Sequence, residues 1–325
     1  MQLPEELRIA IERDTAFLSH GDLARAVAKL GGAYKLRNNG GAVIDSPAKL
    51  GAYLEVRMPA TFAANWRVFQ EIAKLMPGWQ PRSVLDLGAG PGTATWAALE
   101  VFLAIENVTL VERDRRTLEA GKRIAAGSDA LRNAIWRQSE LTESDGQNSD
   151  LVVISYALGE LTTQQQETAI GSAWFRAKNL LAIVGPGTPD DFRIMLAART
   201  QLIAAGAHIL APCPHEHVCP MADGKDWCHF AQRLERSSDH RRLKAGVLGY
   251  EDEKFSYLIA SRNQLEKVPA RIVRHPRKHG GHVQLNLCSD AGLVQITVSK
   301  SQRESYRRAR HAEWGQGWDS DSRGQ

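Results

Sequence analysis

Apolar and polar residues in the N-terminal part of the chain alternate with a helical spacing. The pattern covers residues 4–79, with Asp22 as the expected N-cap of one helix and Ser46-Pro47 as the start of another. The stretch Arg57–Thr61 contains a proline and is expected to break the next helix before an amphipathic stretch. These features predict a helical N-terminal domain or a helical cap over a ligand site in the part of the chain that follows.

From Ser83 onward, short apolar runs alternate with helical stretches, which is typical of an α/β protein with a doubly wound parallel sheet. After a first strand at Ser83, the predicted strands are Val108–Val111, Ala134–Arg137, Asp150–Tyr156, Leu180–Gly185, His208–Pro212 and Phe255–Ser261. The predicted helices include Ala94–Ala104, Thr163–Arg176 and Asp190–Ala204. We therefore expect a seven-stranded Rossmann-like sheet whose last two strands are paired.

The turn after the first predicted strand is rich in glycine and leads into a helix. Asp86 ends the strand, and Gly88 and Gly90 follow in the run Asp-Leu-Gly-Ala-Gly-Pro-Gly-Thr. Glycine accepts positive φ and lets the backbone approach a ligand closely. Glu112 ends the next apolar strand, where a carboxylate can accept hydrogen bonds from ribose hydroxyls. The spacing alone also suits NAD.

The Asp-x-Gly-x-Gly-x-Gly form resembles the first motif of class I methyltransferases that use S-adenosylmethionine (SAM). The resemblance implies that Asp86 lies near the methionine end of the cofactor, with Gly88 and Gly90 beneath it. It also implies that Glu112 contacts the ribose. A strand-to-helix turn without a ligand is the alternative.

Length and composition describe an ordinary globular protein. The 325 residues are 43% apolar and 24% charged. No run approaches the roughly 18 apolar residues of a membrane span, and the N-terminus lacks the pattern of a signal peptide. We therefore expect no membrane association and a cytoplasmic location with reduced thiols.

The end of the fourth predicted strand supplies candidates for the substrate side of the site. Ser155, Tyr156 and Glu160 lie there, and ligands bind at the carboxyl ends of strands in doubly wound sheets. Ser155 is a candidate cofactor contact and Glu160 a candidate general base, while Tyr156 has packing as an alternative role. This region has neither the Asn/Asp-Pro-Pro-Tyr motif of many adenine methylases nor the cysteine nucleophile of cytosine-C5 enzymes.

Cysteines form a second candidate site. Three of them lie within sixteen residues among prolines and polar residues, and the fourth follows far downstream, giving the spacing C-x5-C-x8-C-x59-C: Cys213, Cys219, Cys228 and Cys288. Four thiolates suit a tetrahedral zinc ion or an iron–sulfur cluster. The loop also contains histidines that leave a mixed Cys/His zinc site open, namely His215, His217 and His229. The spacing alone slightly favours zinc.

The positive charge is concentrated near the C-terminus. The net charge is +4, and residues 267–310 contain ten Lys and Arg against two acidic residues. Two β-like runs, His282–Leu287 and Leu293–Ser299, predict a hairpin. A short basic helix follows, with Arg303, Tyr306, Arg307, Arg308 and Arg310. This composition suits RNA phosphates and bases, and a solvated basic face is the alternative.

Together these motifs resemble a methyltransferase-like family associated with the small ribosomal subunit of bacteria and mitochondria. The matching stretches are Arg57–Thr61, Asp86–Gly92, Ser155–Leu161, Pro186–Pro189, Trp227–Phe230, Gly281–Cys288 and Val298–Lys300. The resemblance implies a 4Fe–4S cluster on the four cysteines, which turns the preference from zinc to iron–sulfur. Gly185 departs from the family pattern, in which an acid is expected before Pro-Gly-Thr-Pro.

The predicted domain organisation has four parts. They are a helical N-terminal domain (1–80), a SAM-dependent methyltransferase-like domain (81–264) with a cysteine-rich metal loop (212–230), a basic C-terminal β module that carries the fourth cysteine (265–315), and a frayed tail (316–325).

Two functions from different classes are compatible with these features. The first is a SAM-dependent methyltransferase acting on small-subunit ribosomal RNA, with a structural 4Fe–4S cluster. The second is a non-catalytic assembly factor of the small ribosomal subunit that uses the same fold for RNA binding. An iron–sulfur radical enzyme fits less well because four cysteines would close the iron site. In either case the expected partners are ribosomal RNA and the small subunit, with a monomer off the ribosome.

Overall fold

The structure, a computed structural model, describes residues 1–36, 44–143, 147–236, 242–243 and 248–319. The chain divides into two compact units. The first unit contains Met1–Gly185 and Gln232–Glu253, and the second contains Pro186–Ala231 and Lys254–Gln325. This division does not coincide with the expected boundaries after residues 80 and 264, which stay predictions.

The N-terminal part of the first unit is helical. Its helices are α1 (Glu5–Thr15), α2 (His20–Leu36), α3 (Pro47–Ala52) and α4 (Met58–Leu75). Ser46 caps α3 by accepting a hydrogen bond from the Lys49 amide, and Pro47 occupies the first turn, so the expected start is confirmed. Asp22 is not an N-cap. It lies in the first turn of α2, where its amide donates to the Ser19 hydroxyl at 3.1 Å. Residues 37–43 of the predicted helical stretch lie outside the described residues.

The expected helix break at Arg57–Thr61 is wrong. Helix α3 continues through one π-helical turn, Tyr53–Arg57, directly into α4, whose first turn contains Pro59. Proline lacks an N–H and its ring crowds the carbonyl four residues earlier. The wider π turn gives that ring room, so the chain passes the proline without ending the helix. Single π turns of this kind are frequent at functional sites.

The first unit contains a parallel sheet in the order β3-β2-β1-β4-β5. The strands are β1 (Ser83–Leu87), β2 (Asn107–Glu112), β3 (Ile135–Gln138), β4 (Ser149–Ser155) and β5 (Ala177–Pro186), and all neighbours are parallel. The connecting helices are α5 (Thr93–Leu99), α6 (Arg115–Ala125) and α7 (Thr163–Arg176). Helix α5 ends before the predicted limit at Ala104, whereas α7 has the predicted bounds. This strand order is that of a doubly wound fold.

Two strands contribute residues to both units. They are β7 (Phe230–Glu235), which was not predicted, and β8 (Tyr250–Ser261), which begins before the predicted Phe255. In the first unit Arg233 of β7 forms an ion pair with Asp252 of β8 at 2.8 Å. The charged residues of this pair obscure the apolar alternation by which a strand is usually detected.

The second unit begins with helix α8 (Pro189–Ala204) and strand β6 (His208–Ala211), which pairs antiparallel with the end of β8. A second sheet follows in the order β10-β11-β9-β13, with β12 paired to β11. Its elements are β9 (Ala270–Ile272), β10 (Arg277–Lys278), β11 (His282–Ser289), β12 (Gly292–Ser299), α9 (Arg303–His311) and β13 (Gly317–Trp318). Strands β11 and β12 form an antiparallel hairpin.

The expected fraying of residues 316–325 is wrong for the part that the structure describes. Gly317 and Trp318 pair with β9, and Trp318 is only 5% exposed because it packs in the core of the second sheet. Residues 320–325 lie outside the described ranges. Among the described helices, none is both long enough and apolar enough to cross a membrane.

Gly121 tests the packing of α6 beside the glycine loop. A Cβ at this position would lie 2.5 Å from the Trp136 ring and 3.1 Å from the Pro91 backbone. Alanine usually favours a helix, but here we expect Gly121→Ala to lower the free energy of unfolding by about 1–3 kcal/mol, the usual cost of overpacking. The measurement is urea unfolding. Gly127→Ala is the control, since a Cβ there meets nothing within 4 Å. Equal effects of the two substitutions would contradict the prediction.

Candidate functional site

The glycine loop follows β1 and is held by backbone hydrogen bonds to β2. The amides of Gly88 and Ala89 both donate to the Val111 carbonyl at 2.9 Å. Gly88 and Gly90 have φ values of +70° and +57°, which glycine adopts without strain. A Cβ on Gly88 would lie 2.6 Å from Cβ of Ala157, so no larger residue fits there. The loop therefore turns tightly at the carboxyl edge of the sheet.

Glu112, at the end of β2, braces this loop. Its Oε2 atom accepts a hydrogen bond from the Gly90 amide at 2.9 Å, and its Oε1 atom accepts one from the Asp114 amide at 2.8 Å. Burial raises the pKa of Glu112, and these two amides oppose the shift. Because a carboxylate oxygen has more than one acceptor position, Glu112 can hold the loop and still accept from a ligand hydroxyl.

Asp86 is fully buried at the end of β1. Its Oδ2 atom accepts from the Thr95 hydroxyl at 2.8 Å and from the Thr95 amide at 3.2 Å. Its Oδ1 atom has no hydrogen-bond partner within the part of the chain that the structure describes. Burial raises the pKa of Asp86 to about 6. A buried acceptor without a partner is costly, and a cationic ligand group would complete this environment.

At the end of β4, Ser155 contacts a residue from the helical part of the chain. The Asn65 side-chain amide on α4 donates to the Ser155 hydroxyl at 2.8 Å and to the Thr61 carbonyl at 2.8 Å. Asn65 is 0% exposed, and its Oδ1 atom has no partner among the described residues. Asn65 is on the face of α4 that buries Phe62 and Phe69, three residues before it and four after it. A polar residue on such a face is a signal that sequence reasoning could have used.

Tyr156 is in the left-handed region, with φ of +57°, which is rare for a bulky side chain. Its hydroxyl donates to Oε1 of Glu253 at 3.1 Å, and its amide donates to the Val184 carbonyl at 2.7 Å. Glu253 in turn forms an ion pair with Arg57 of the π turn at 3.3 Å. Strained residues held by their surroundings are frequent at binding sites.

Tyr53 begins the π turn, and sequence reasoning did not identify it. A Cβ on Gly90 would lie 3.9 Å from the Tyr53 hydroxyl, so this hydroxyl is beside the glycine loop. Burial raises the pKa of Tyr53. The π turn therefore brings Tyr53 and Arg57 from the helical part of the chain to the carboxyl edge of the sheet.

Glu160, the candidate base, lies in a short 3-10 turn after β4. Its carboxylate forms an ion pair with Arg113 at 3.0 Å, and its side chain is about half exposed. Burial raises its pKa, and the Arg113 charge opposes that shift. A carboxylate held by a guanidinium is a weaker base than a free one. The catalytic role of Glu160 stays a prediction.

The four cysteines of the second unit line one cavity of about 50 Å³ together with Arg199 and Arg271. All four are free thiols. Cys213, Cys219 and Cys228 come from the loop after β6, and Cys288 comes from β11, where it is the ladder partner of Arg271 in β9. The predicted set is thus gathered around a common space.

Burial dominates the acidity of these thiols. It raises the pKa of Cys228 well above its ordinary value, with a further rise from the other three cysteines. Burial also raises the pKa of Cys288 to about 12 and that of Cys213, while the charges of Arg199 and Arg271 oppose both shifts. Mutual repulsion of this kind is relieved when a metal takes the place of the protons.

The donor chemistry of this cavity fits a metal centre, but the side chains do not form one as placed. Four sulfur donors and two guanidinium groups share one space, which suits an anionic thiolate complex. Within the described ranges, however, no group of three or more His, Cys, Asp or Glu side chains is arranged to hold a metal ion. The metal prediction is therefore not confirmed.

The histidines of the loop have separate roles. His215 Nε2 lies 3.7 Å from Cys288 Sγ, whereas His217 pairs with Asp290 at 3.1 Å. His229 stacks on Trp227 with ring centroids 5.0 Å apart. Of the three, His215 is the one placed to contact a cysteine sulfur.

Several basic residues of the C-terminal segment are engaged within the second unit. Arg308 lies over the Trp318 ring, with its guanidinium carbon 5.1 Å from the ring centroid, and donates to the Asp319 carbonyl. Arg307 pairs with Glu304 at 2.8 Å. By contrast, Arg277, Lys278 and Lys300 are exposed, and none of the three forms an ion pair or hydrogen bond with another side chain among the described residues. The Lys300 amide donates to the Gly281 carbonyl, so the turn between β10 and β11 lies beside the turn before α9.

The first unit defines a class, a doubly wound α/β protein with a glycine loop at the carboxyl edge of its parallel sheet. The chain belongs to the Rsm22 family, described as mitochondrial small ribosomal subunit Rsm22, whose model matches residues 47–319. The resemblance noted in the sequence is thus confirmed at the level of the family.

Named relatives share moderate identity. The human ribosome assembly protein METTL17, mitochondrial, is 29% identical over 340 aligned positions, which cover 96% of this chain and 73% of the relative. Rsm22-cox11 tandem protein 2, mitochondrial, of Schizosaccharomyces pombe is 26% identical, over 81% of this chain and 42% of its own length. The chain therefore spans less than half of that yeast relative. These names refer to mitochondria and do not support the expected cytoplasmic location.

Similar solved structures include a putative RNA methyltransferase from Pyrococcus horikoshii, with TM-score 0.42 and 13% identity over 73% of this chain and 96% of that one. Another is a magnesium protoporphyrin IX methyltransferase from Synechocystis with bound SAM, with TM-score 0.42 and 13% identity over 71% and 89% of the two chains.

Because its pKa is raised, the Asp86 carboxyl should make the free energy of unfolding depend on pH. Between the ordinary pKa of 3.8 and the folded value of about 6, the folded state holds a proton that the unfolded chain has lost. The contribution of Asp86 to stability therefore falls as pH rises through this window and is flat above it. The Asp86→Asn variant has no titrating carboxyl and so does not lose stability in this pH window. Its side-chain oxygen can still accept hydrogen bonds from Thr95.

We expect the stability of Asp86→Asn relative to wild type to increase from pH 4 to pH 7, by on the order of 3 kcal/mol at about 1.4 kcal/mol per pKa unit. Urea unfolding of both proteins across this range measures the difference. A difference that does not change with pH would show that Asp86 titrates normally.

Proposed function

We propose that this chain is a SAM-binding, methyltransferase-like protein that acts on or with small-subunit ribosomal RNA. The observation that carries the cofactor proposal is the buried Asp86 oxygen without a partner, beside a glycine loop braced by Glu112. Asp86 would accept from the ammonium group at the methionine end, and Glu112 from the ribose hydroxyls. Gly88 and Gly90 would lie beneath the cofactor, and Ser155 would contact it from β4. SAM supplies an activated methyl group when bound.

The family supports an assembly role as strongly as a catalytic one. The chain belongs to a family named for the mitochondrial small ribosomal subunit, and METTL17 is named as a ribosome assembly protein. Glu160 is paired with Arg113, and the motifs of two common methylation chemistries are absent near β4. The second candidate function is therefore a non-catalytic assembly factor of the small subunit. In that case the cofactor site would bind its ligand but would not take part in methyl transfer.

The proposal also includes a structural 4Fe–4S cluster on Cys213, Cys219, Cys228 and Cys288, with zinc as the alternative. It is supported by the four thiols that share one cavity and by the cationic side chains beside them. Such a centre would connect the loop after β6 to strand β11. A structural metal site contributes its binding free energy to folding.

Cofactor binding is tested best at Gly90. Substitution of Gly88 would disturb the fold through Ala157, whereas a Cβ on Gly90 meets nothing closer than 3.9 Å. That Cβ fits the unliganded protein but occupies the space through which a ligand approaches the loop. We expect Gly90→Ala to weaken SAM binding at least about tenfold in calorimetry, or about 1.4 kcal/mol.

Gly78→Ala is the matched control for this test, since Gly78 also has positive φ and open space around its Cβ position. Gly78→Ala should carry a positive-φ strain of the same kind and leave SAM affinity unchanged. If the folded wild-type protein binds no SAM in calorimetry, the cofactor proposal is wrong.

RNA binding is tested best by the exposed residues Arg277, Lys278 and Lys300. Replacement of Arg307, Arg308 and Arg310 would also remove the contact with Trp318. Each phosphate contact adds about 0.7–0.9 to the slope of log affinity against log salt. We expect Arg277→Gln, Lys278→Gln and Lys300→Gln together to flatten that slope by about 2–3 on a small-subunit ribosomal RNA transcript.

The control for RNA binding removes the same charge from the first unit, through Lys29→Gln, Lys74→Gln and Lys178→Gln, all exposed. It should leave the salt slope nearly unchanged. An equal loss in both triple variants would mean that net charge alone governs the affinity, and the C-terminal surface would then not be the binding site.

A further inference from the structure

Arg199 of α8 is an unusual charge in the second unit. It is 6% exposed and lines the cavity of the four cysteines. A guanidinium stays charged in proteins, and buried charges are normally paired. Within the described residues Arg199 has no carboxylate at ion-pair distance, and its Nε atom has no hydrogen-bond partner. The cavity therefore contains a positive charge for which the described chain supplies no carboxylate.

The guanidinium of Arg199 is fixed by the cysteine loop. Its Nη2 atom donates to the carbonyls of His215 at 2.9 Å and His217 at 2.8 Å, in the segment between Cys213 and Cys219. These neutral acceptors orient the group but leave its charge uncompensated.

Arg271 of β9 is a second cation at the same cavity and is 1% exposed. Its Nε atom donates to the carbonyl of Pro212, the residue before Cys213, at 3.0 Å, and it lies opposite Cys288 in the ladder. The two arginines thus hold the loop on both sides of Cys213. The strand that carries Arg271 is also hydrogen-bonded to the strand that carries the distant fourth cysteine.

We propose that Arg199 is a positioning residue that supplies counter-charge to an anionic four-thiolate metal centre. This inference rests on the proposed metal site. Four thiolates around Zn²⁺, or around an oxidised 4Fe–4S core, give a complex with a net charge of about −2. The buried guanidinium of Arg199 offsets part of that charge. Beside four neutral thiols the same guanidinium would be unfavourable, because a buried charge without a counter-charge is costly.

The counter-charge has a consequence that a merely structural role would not have. Adding an electron to a cluster increases its negative charge, and a nearby cation stabilises the reduced form. Loss of Arg199 should therefore lower the reduction potential and speed the release of metal. Arg199→Lys would keep the positive charge but lose the planar guanidinium with its several N–H donors, whereas Arg199→Met would lose both the charge and the donors.

The experiment uses the full-length chain purified without oxygen, with iron, sulfide and zinc determined first. Arg199→Met is expected to release metal to a chelator at least about tenfold faster than wild type. For an iron–sulfur centre its reduced form should also be about tenfold less favoured, a potential about 59 mV lower for one electron. Arg199→Lys should restore most of both. Arg193→Met, at an exposed arginine of the same helix paired with Asp190, should match wild type.

The outcomes separate this inference from the proposed metal site. Wild type with neither iron nor zinc overturns the metal site and this inference with it. If wild type holds metal, and Arg199→Met shows an unchanged rate of metal release and an unchanged reduction potential, the counter-charge alone is overturned.

If Arg199→Met holds no metal, the Arg199→Lys variant decides, with circular dichroism as the check on folding. Rescue of metal content by lysine supports the charge, and equal loss in both variants assigns Arg199 to hydrogen bonding only. If the metal is zinc, the release rate is the deciding measurement.

Discussion

The first unit depends on one constraint, the attachment of the glycine loop to strand β2. The amides of Gly88 and Ala89 donate to Val111, and the Gly90 amide donates to Glu112. These bonds satisfy backbone groups that a tight turn would otherwise leave unpaired. They also place a carboxylate directly beside the turn. The same geometry that closes the strand-to-helix connection therefore builds the acidic rim of the candidate cofactor site.

Local patterns predicted the parts of the first unit that depend on local interactions. The apolar runs gave the positions of β1 to β5, and Ser46 with Pro47 gave the start of α3. Patterns failed where tertiary contacts decide. The π turn before Pro59, the unpredicted strand β7 and the ordered Trp318 all depend on neighbours distant in sequence. Charge patterns do not report such contacts either: Arg308 of the basic helix packs on Trp318, and its contact with an RNA phosphate stays a prediction.

The candidate sites also divide into residues brought together by local sequence and residues brought together by tertiary packing. Asp86, Gly88, Gly90 and Glu112 lie within one strand-turn-helix-strand segment, so their proximity follows from sequence spacing. Tyr53, Asn65 and Glu253 reach the same edge only through the packing of α4, the π turn and β8, and sequence analysis did not include them. Cys288 is distant in sequence from the other cysteines, and β11 brings it to the cavity opposite Arg271. The sequence grouped the four cysteines by residue type, but it could not show which strand brings the distant one to the other three.

The buried charges of the two units call for ligands of opposite sign. In the first unit, the unpartnered oxygen of Asp86 lies in a space where burial raises the pKa of the acid to about 6. A cationic ligand would lower that pKa and remove the cost of ionisation. In the second unit, Arg199 lies among thiols whose pKa burial raises, so the protonated cavity is positively charged. A metal bound at the proposed centre would displace those protons and leave an anionic thiolate shell. Each unit thus contains a buried group without a compensating partner among the described residues, the Asp86 oxygen in the first and the Arg199 charge in the second. The two proposed ligands, a cationic cofactor and an anionic metal complex, are the ones that would compensate these groups.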